Sequence, residues 1–265
     1  MEPLSIVVCI KQVPDSWAEK QLRPEDLRLD RDAADAVLNE LDEYAVEEAL
    51  RLQESREGET TVTVLSMGPA RTAETLRKAL SMGAGAAVHL VDDGLEGTDA
   101  VGTSYALAQA LATVAYDLVI LGSESTDARM SVVPAMLAER LGVAQLTHAR
   151  KVTLDGTTVT IERVTDDGYA TVRAELPAVV SVVEKINEPR YPNFKGIMAA
   201  KKRPYTTLTL AESGAEAAQL GLAGAGTEVV AATKAPARSA GDISDDAGTG
   251  GARLAAYLVA QGFVS

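Results

Sequence analysis

The segment from 187 to 204, NEPRYPNFKGIMAAKKRP, combines three residue types that suit protein docking. Its prolines remove backbone donors and disfavour helix at the residues before them. Between the prolines lie two aromatic side chains, Tyr191 and Phe194, and six residues of 185–203 are basic while one is acidic. The whole chain has a formal net charge of -13. Because an aromatic side chain can anchor a partner and basic charges can steer it, the segment is predicted to be a docking element.

Three loops could bind a nucleotide, because each follows a predicted strand and ligands of open parallel sheets bind at the carboxyl ends of the strands. They run from Cys9 to Pro14, from Ser66 to Ala70 and from Gly122 to Val133. The third is the longest and most polar, and it opens a helix whose N–H groups can receive phosphate. The alternative is that these are ordinary solvated loops, and the residues alone leave both open.

Motifs for catalysis or metal binding are missing from the sequence. The glycine runs at 83–87 and 221–226 lack the strand-to-helix context of a dinucleotide loop, and no G-x-x-x-x-G-K-[ST] motif occurs. His89 and His148 lack acids at ligand spacing, so they are interpreted as packed or surface imidazoles. Cys9 has Lys11 nearby but no evident base, and it is interpreted as a packing residue beside the pocket. We expect no catalytic residue and no bound metal.

The carboxylates of the segment DEYAVEEAL are dense enough to suggest acid–base chemistry. Helical spacing instead favours a solvated helix face. These carboxylates are Asp42, Glu43, Glu47 and Glu48.

Composition restricts the class of protein. Of the 265 residues, 46% are hydrophobic and 4% are aromatic, so the core must be aliphatic. The acidic charge argues against nucleic acid as a partner. The single cysteine, Cys9, favours a reducing compartment, and residues 1–20 carry no secretory pattern. No apolar run is long enough to span a membrane. We therefore expect a cytoplasmic protein that does not insert into membranes.

The first half of the chain alternates short apolar runs with helical periodicity, as in a parallel sheet covered on both faces. The strands are predicted at 4–10, 61–67, 86–91 and 117–122. The helices are predicted at 40–54, 70–82, 99–115 and 131–141. This order predicts right-handed crossovers and an α/β, doubly wound, mostly parallel sheet.

The second half changes character. Asp155-Gly156 and Asp167-Gly168 read as turns between antiparallel strands, and 176–186 reads as a further buried strand. From Thr206 no compact domain is evident, yet the chain finishes with an amphipathic helix too short to be stable alone. We divide the chain into an α/β domain at 1–184, a partner-recognition loop at 185–205 and a C-terminal arm at 206–265.

Several motifs carry a family resemblance. NEPRY followed by IMAAKK, together with VVCIKQVPD, NELDEYAVEEALRL, SMGPA and RKALSMGA, resembles the beta subunit of electron transfer flavoprotein from residue 4 to about 210. The resemblance implies a Rossmann-like, adenine nucleotide alpha hydrolase-like fold and a heterodimer with an alpha subunit that holds most of the FAD. It also implies electron transfer from flavoprotein dehydrogenases, such as acyl-CoA dehydrogenases, to a quinone reductase, without bond-making chemistry in this chain.

The same resemblance implies a buried structural AMP in the predicted pocket. Where many members have Asn-Gln-Thr or Asn-Gln-Val, this chain has Ser-Val-Val at 131–133, so backbone contacts are kept and side-chain contacts change. Near the flavin of the alpha subunit the implied residue is either Ser16 or Trp17. The implied AMP contacts are Cys9, Asn39, Met67, Gly122, Ser125, Asp127, Ser131, Val132 and Val133.

For the docking segment the resemblance implies that Phe194 takes the place of a leucine that enters a pocket on the dehydrogenase. The alternative is that Phe194 packs on its own domain. An acidic residue of the family is Val164 here, so any gating through that acid must differ. The implied docking residues are Tyr191, Phe194, Lys195, Ile197, Met198, Lys201 and Lys202.

Two further interpretations stay open. In a bifurcating variant of the same family, a second FAD replaces AMP and electrons enter from NADH. The other is a universal-stress-type regulatory protein that forms a homodimer and binds ATP, which leaves 187–204 and the arm unexplained. In the main interpretation the arm wraps the alpha subunit.

Overall fold

A computed structural model describes residues 3–237, 241, 243, 246 and 248–264. The chain divides into two units, Met1–Val230 and Ala231–Ser265. The first unit is built on a nine-stranded sheet with helices on both faces. The described part of the second unit contains one helix, whose residues Leu254 and Tyr257 are exposed.

The strands are β1 Leu4–Cys9, β2 Gln12–Pro14, β3 Ala36–Leu38, β4 Thr60–Met67, β5 Ala86–Leu90, β6 Leu118–Gly122, β7 Ala144–Asp155, β8 Thr158–Thr165, β9 Gly168–Glu175, β10 Ala178–Val182 and β11 Tyr205–Leu208. The helices are α1 Glu40–Ser55, α2 Ala73–Met82, α3 Ala100–Leu111, α4 Val133–Leu141, α5 Phe194–Ala200, α6 Leu210–Ser213, α7 Gly221–Gly224 and α8 Gly250–Ala260.

The strand order confirms the predicted doubly wound fold. It runs β11-β5-β4-β1-β6-β10-β7-β8-β9, with β8 and β9 antiparallel and the strands from β11 to β7 parallel. Strand β1 lies between β4, with Leu4 opposite Thr60, and β6, with Ile6 opposite Leu118. The chain moves outward from β1 through β4 to β5 and then crosses back to β6, so the strand order reverses beside β1.

The core forms two aliphatic layers because alternate residues of a strand point to opposite faces of the sheet. Ile6 and Val8 pack in the layer under α1 and α2, whereas Val7 and Cys9 pack in the layer under α3 and α4. These strands are near-continuous apolar runs because both faces of the sheet are covered.

Three local features differ from the sequence predictions. The segment from 11 to 38 contains a small antiparallel sheet of β2 and β3, with Gln12 opposite Leu38. His148, for which the sequence analysis predicts no strand, lies within β7 at an irregularity in its pairing, with a φ of 60°.

The third difference concerns the predicted arm. Residues 205–208 form strand β11, which pairs with β5, and Leu210 and Leu220 are buried in the core. The first unit extends to Val230 and so includes the predicted α/β domain at 1–184, the loop at 185–205 and the first part of the predicted arm. This strand could not be predicted from the sequence, because the segment TTLTL at 206–210 is short and mostly exposed. Only its pairing with β5 identifies it as a strand. The stretch 231–251 lies partly outside the described residues, and the rest of it has no helix or strand before α8 begins at Gly250.

Candidate functional site

The predicted nucleotide loops follow the carboxyl ends of β1, β4 and β6, and we call this edge of the sheet the crevice. This is where the strand order reverses, and open α/β sheets bind their ligands at such a switch point. Cys9 ends β1, Met67 ends β4 and Gly122 ends β6. The loop from 123 to 132 joins β6 to α4 above this edge. Adjacent strands therefore bring Cys9, Met67 and Gly122 to one edge of the sheet.

Asn39 shapes the longest loop of the crevice. Its side-chain amide donates to the carbonyl of Glu124 at 3.0 Å, and its oxygen accepts from the N–H of Thr126 at 3.0 Å. Asn39 is 1% exposed and immediately precedes α1. An asparagine is needed here because one side chain must offer both a donor and an acceptor to the same loop.

Asp127 collects two cations at the mouth of the crevice. Its buried carboxylate lies 2.8 Å from the Lys11 ammonium and 2.7 Å from the Arg31 guanidinium. Burial alone would raise the pKa of Asp127, but these cations and the hydrogen bonds from Lys11 and Ser125 hold it well below its ordinary value. Burial lowers the pKa of Lys11. Asp127 therefore holds both cations at this edge of the sheet, where the Asp42 carboxylate also acts on Lys11.

Asp42 is a site residue that sequence reasoning placed wrongly, on a solvated face. It is 5% exposed, and its two oxygens accept the N–H groups of Lys11 at 2.7 Å and Gly122 at 3.1 Å. It thereby ties the ends of β1 and β6 together. A Cβ at position 122 would lie 2.6 Å from its oxygen, so a glycine is required there. Burial raises the pKa of Asp42 to about 7, although these N–H groups and Asn39 oppose the shift.

Cys9 lines the same edge but is not a reactive thiol. It is 5% exposed, and burial raises the pKa of its thiol, an effect to which Asp42 adds. Because the thiolate is the nucleophilic form, this environment agrees with a packing role.

The residues from 131 to 133 lead into α4. Ser131 has a φ of 55°, and its hydroxyl donates to Glu124 at 3.2 Å. Val132 is the N-cap of α4 and has no side-chain hydrogen bond to the helix, so the first N–H groups of α4 are left to other partners. Among the described residues, the buried hydroxyl of Thr126 also has no hydrogen-bond partner.

His89 supports the loop that follows β4. Its Nε2 lies 3.0 Å from the carbonyl of Gly68, and its Nδ1 lies 2.9 Å from the hydroxyl of Tyr205. Since a carbonyl only accepts, Nε2 carries the proton and Nδ1 accepts from the tyrosine. Burial lowers the pKa of His89, which favours this neutral form. Within the described part of the chain, no group of three or more His, Cys, Asp or Glu side chains is placed to hold a metal ion.

The segment predicted to approach the flavin exposes its aromatic residue. Trp17 is 94% exposed, and its N–H is held by Asp15 at 2.9 Å. Ser16 instead turns back to α1, where its hydroxyl donates to Glu40 at 2.6 Å. Of the two residues left open by the sequence, only Trp17 presents a free aromatic face.

The docking segment also exposes its aromatic side chains. Tyr191 is 97% exposed and Phe194 is 79% exposed, so Phe194 does not pack on its own domain in this structure. Phe194 begins α5, which Asn193 caps by accepting the N–H of Gly196 at 2.8 Å. The remaining predicted docking residues are exposed to different degrees; they are Lys195, Ile197, Met198, Lys201 and Lys202.

The NEPR motif fastens this segment to α1. Arg190 donates to both oxygens of Glu47, at 2.7 and 3.0 Å, and to both oxygens of Glu54, at 2.6 and 3.1 Å. Asn187 donates to Glu48 at 2.9 Å and to the carbonyl of Tyr44 at 3.0 Å. We call these two residues and their partners on α1 the clasp.

The clasp corrects the prediction that the α1 carboxylates form a solvated face. Glu47 and Glu48 are 5% and 7% exposed, because the docking segment folds over them. Burial raises the pKa of Glu48 despite its bond to Asn187. Periodicity could not show this, because the partners lie more than a hundred residues away in sequence. Because Arg190 is paired with Glu47 and Glu54, it does not add to the unpaired basic charge of the docking segment.

Comparisons with known proteins agree with these features. The family model described as "Electron transfer flavoprotein domain" matches residues 26–213. The chain is 56% identical to an electron transfer flavoprotein subunit beta of Mycobacterium tuberculosis, over 97% of this chain and 98% of that protein. It is 36% identical to the protein of the same name from Megasphaera elsdenii, over 92% and 93% of the two chains. It is 32% identical to a caffeyl-CoA reductase-Etf complex subunit from Acetobacterium woodii, over 91% of each. No helix among the described residues is long and apolar enough to cross a membrane.

Proposed function

The chain belongs to the family of electron transfer flavoprotein beta subunits, and from this membership we propose how it takes part in electron transfer. Its family makes it a subunit of an electron carrier and not a catalytic enzyme. We propose that it pairs one-to-one with an alpha subunit and shuttles electrons from flavoprotein dehydrogenases, such as acyl-CoA dehydrogenases, to an ETF–quinone oxidoreductase. This would place it in fatty acid oxidation in the cytoplasm.

The docking part of the proposal rests on one observation: two exposed aromatic side chains lie on a segment that is hydrogen-bonded to α1. Phe194 and Tyr191 project from a segment whose start is held on α1 through Arg190. A large exposed aromatic side chain on a rigid support loses little conformational freedom on binding, which is the property of an interface anchor. Burying such a side chain fully contributes about 1.5–3 kcal/mol.

The crevice beside β1 is proposed to hold AMP. Phosphate suits the uncapped start of α4, and two cations, Lys11 and Arg31, lie at the same edge of the sheet. The unpartnered hydroxyl of Thr126 offers a further polar contact. The contacts named from the family resemblance, from Cys9 to Val133, stay a prediction that ligand analysis must test.

FAD is proposed to be held mainly by the alpha subunit, with this chain covering one side of it. When bound, the flavin supplies the one- and two-electron chemistry that the carrier needs. This chain would contribute the exposed indole of Trp17 near the flavin, while Ser16 holds the loop to α1. The predicted arm, now limited to residues beyond Val230, is proposed to wrap the alpha subunit.

One alternative within the family is retained. It is the bifurcating role with a second FAD and NADH that the sequence left open. The relative from Acetobacterium woodii is named as part of a caffeyl-CoA reductase-Etf complex, so a related subunit belongs to a reductase complex. The family assignment decides against the universal-stress-type interpretation.

Mass spectrometry of the nucleotides released from the denatured alpha–beta complex separates these functions. We expect AMP and one FAD per complex. Two FAD per complex would favour the bifurcating variant. A colourless homodimer of this chain that does not bind the alpha subunit would refute the proposal.

The docking role is tested by Phe194→Ala in the same complex. We expect a ~10- to 100-fold rise in KM for an acyl-CoA dehydrogenase, from the lost burial, with unchanged flavin content. The matched control is Tyr169→Ala, which removes an exposed aromatic ring from β9. Equal effects of the two variants on KM would contradict a specific anchor at Phe194.

A further inference from the structure

A groove of about 320 Å³ lies between α2 and α5, beside the exposed Phe194. Its lining includes Glu74, Arg77 and Lys78 of α2 and Pro192, Ile197 and Lys201 of the docking segment. On α2 these positions are three and four residues apart, so they share one helix face. None of the α2 residues was named as a docking residue from the sequence.

The walls of the groove are held at a fixed distance. A Cβ on Gly196 would overlap the carbonyl oxygen of Ser81, so α5 approaches the backbone of α2 as closely as a glycine permits. Ala200, one turn further along α5, is also buried, and the clasp holds the segment that precedes α5. The groove is therefore a preformed feature of the surface, which lowers the cost of binding into it.

Most of the positive charge around this groove has no ion-pair partner among the described residues. Lys78 pairs with Glu43, but Arg77, Lys195, Lys201 and Lys202 form no ion pair with any carboxylate of the described residues. This contrasts with Lys11, Arg31 and Arg190, each of which has a carboxylate partner. Glu74 is the one acid among the lining residues. These unpaired cations give the groove a positive local potential on a chain whose net charge is -13.

We propose that this groove binds carboxylate side chains of the electron-donating flavoprotein dehydrogenase, with Arg77 and Lys201 as the receiving cations. The proposal rests on the proposed docking function and names a second contact beside Phe194. Pro192 and Ile197 supply apolar walls that exclude water once a partner is seated, and a charge-assisted hydrogen bond strengthens as water is excluded. The unpaired cations also steer an acidic partner during approach.

A protein partner fits the groove better than a free small anion. The cationic cluster is continuous with two almost fully exposed aromatic side chains, Tyr191 and Phe194, which a small anion would leave in water. A dehydrogenase surface that combines an apolar pocket with flanking carboxylates would cover both features at once.

The test uses the purified alpha–beta complex and an acyl-CoA dehydrogenase from the same organism as the probe. Arg77→Glu and Lys201→Glu are combined in one variant. The matched control combines Lys151→Glu and Arg173→Glu, which change the net charge equally on β7 and β9. KM and kcat for flavin reduction are measured at low and high ionic strength, after confirming flavin content and one-to-one assembly. If the charge-reversed pair does not assemble, Arg77→Gln with Lys201→Gln replaces it.

We expect the groove variant to raise KM ~10-fold at low ionic strength with little change in kcat, and to lose most of the salt dependence of the parent complex. The control should stay within ~2-fold and keep the salt dependence. The neutral pair should raise KM ~3-fold.

Equal KM values in the groove variant and the control would overturn the groove proposal. The docking function would still stand if Phe194→Ala raised KM in the same assay, and it would fail with the groove if that variant also had no effect. Calorimetry with inorganic phosphate supplies a further arm. Phosphate binding that vanishes in the groove variant while dehydrogenase kinetics are unaffected would assign the groove to a small anion and overturn the proposal.

Discussion

Replacing Arg190 with alanine should release the docking segment from α1. In the structure its guanidinium holds Glu47 and Glu54 together, and its own N–H donates to Glu47 at 3.1 Å. After the change, Glu47 keeps its buried position without a cation. The segment from 187 to 204 loses the ion pairs that fix its start.

The magnitude follows from the burial of the partners. The Glu47 side chain is 7% exposed and the Arg190 side chain 33%, while Glu54 is 59% exposed. Removing one partner of a fully buried pair costs ~3–5 kcal/mol, and an exposed pair contributes ~0.2–1 kcal/mol. Because Arg190 is partly solvated, we expect a total near the lower limit, about 3 kcal/mol, of which the Glu54 arm supplies the smaller share.

Hydrogen–deuterium exchange of the alpha–beta complex measures this effect directly. Amides of α5 and of the preceding loop should open more easily in Arg190→Ala by about the same free energy, while amides of β1 and β6 keep their protection. Glu54→Gln is the matched control, since it weakens only the exposed arm. Electron transfer from a dehydrogenase should show a raised KM, because the anchor Phe194 is no longer pre-positioned.

A double-mutant cycle with Glu47→Ala completes the argument. If Glu47 is destabilised by losing its cation, the double variant should be more stable than the sum of the two single changes predicts. Strict additivity, or unchanged exchange across 187–204 in Arg190→Ala, would refute the clasp.

The hydrogen bonds from Arg190 lower the pKa of Glu54. The stability that ionised Glu54 contributes is thus complete above pH about 4.5, the ordinary pKa of a glutamate, and is lost as the pH falls through the lowered pKa of Glu54.

Two further predictions concern Asp42 and Gly196. The pKa of Asp42 is raised from 3.8 to about 7, so the stability that its protonation contributes is complete below pH ~4 and is lost as the pH rises to about 7. Asp42→Asn should therefore flatten this part of the curve of unfolding free energy against pH. Parallel curves for the two proteins would contradict the assignment. Gly196→Ala should destabilise the α2–α5 contact by ~1–3 kcal/mol in thermal unfolding, because its Cβ meets the carbonyl of Ser81. The control Gly251→Ala, with open space around its Cβ, should be neutral or slightly stabilising, and an equally harmless Gly196→Ala would show that the helices separate freely.

The sequence by itself determined the order of the central strands and of the helices from α1 to α4, although not the short strands β2, β3 and β11. Buried parallel strands such as β1 and β6 must be apolar throughout, so they stand out as short runs between periodic helices. The turn at Asp155-Gly156 joins β7 to β8 because glycine adopts the positive φ of 60° found there. The edge that carries the crevice follows from this order alone, since parallel strands present their carboxyl ends together.

Tertiary structure decided the roles of the charged residues. Asp42, Glu47 and Glu48 have the helical spacing of a solvated face, and nothing local separates them from Glu43, which is half-buried and pairs with Lys78. Whether a carboxylate is buried depends on what folds over it, and here that is the end of β1 and a segment about 140 residues later. The same holds for strand β11 and for the groove between α2 and α5. Both arise from contacts between distant segments, and such contacts leave no period in the sequence.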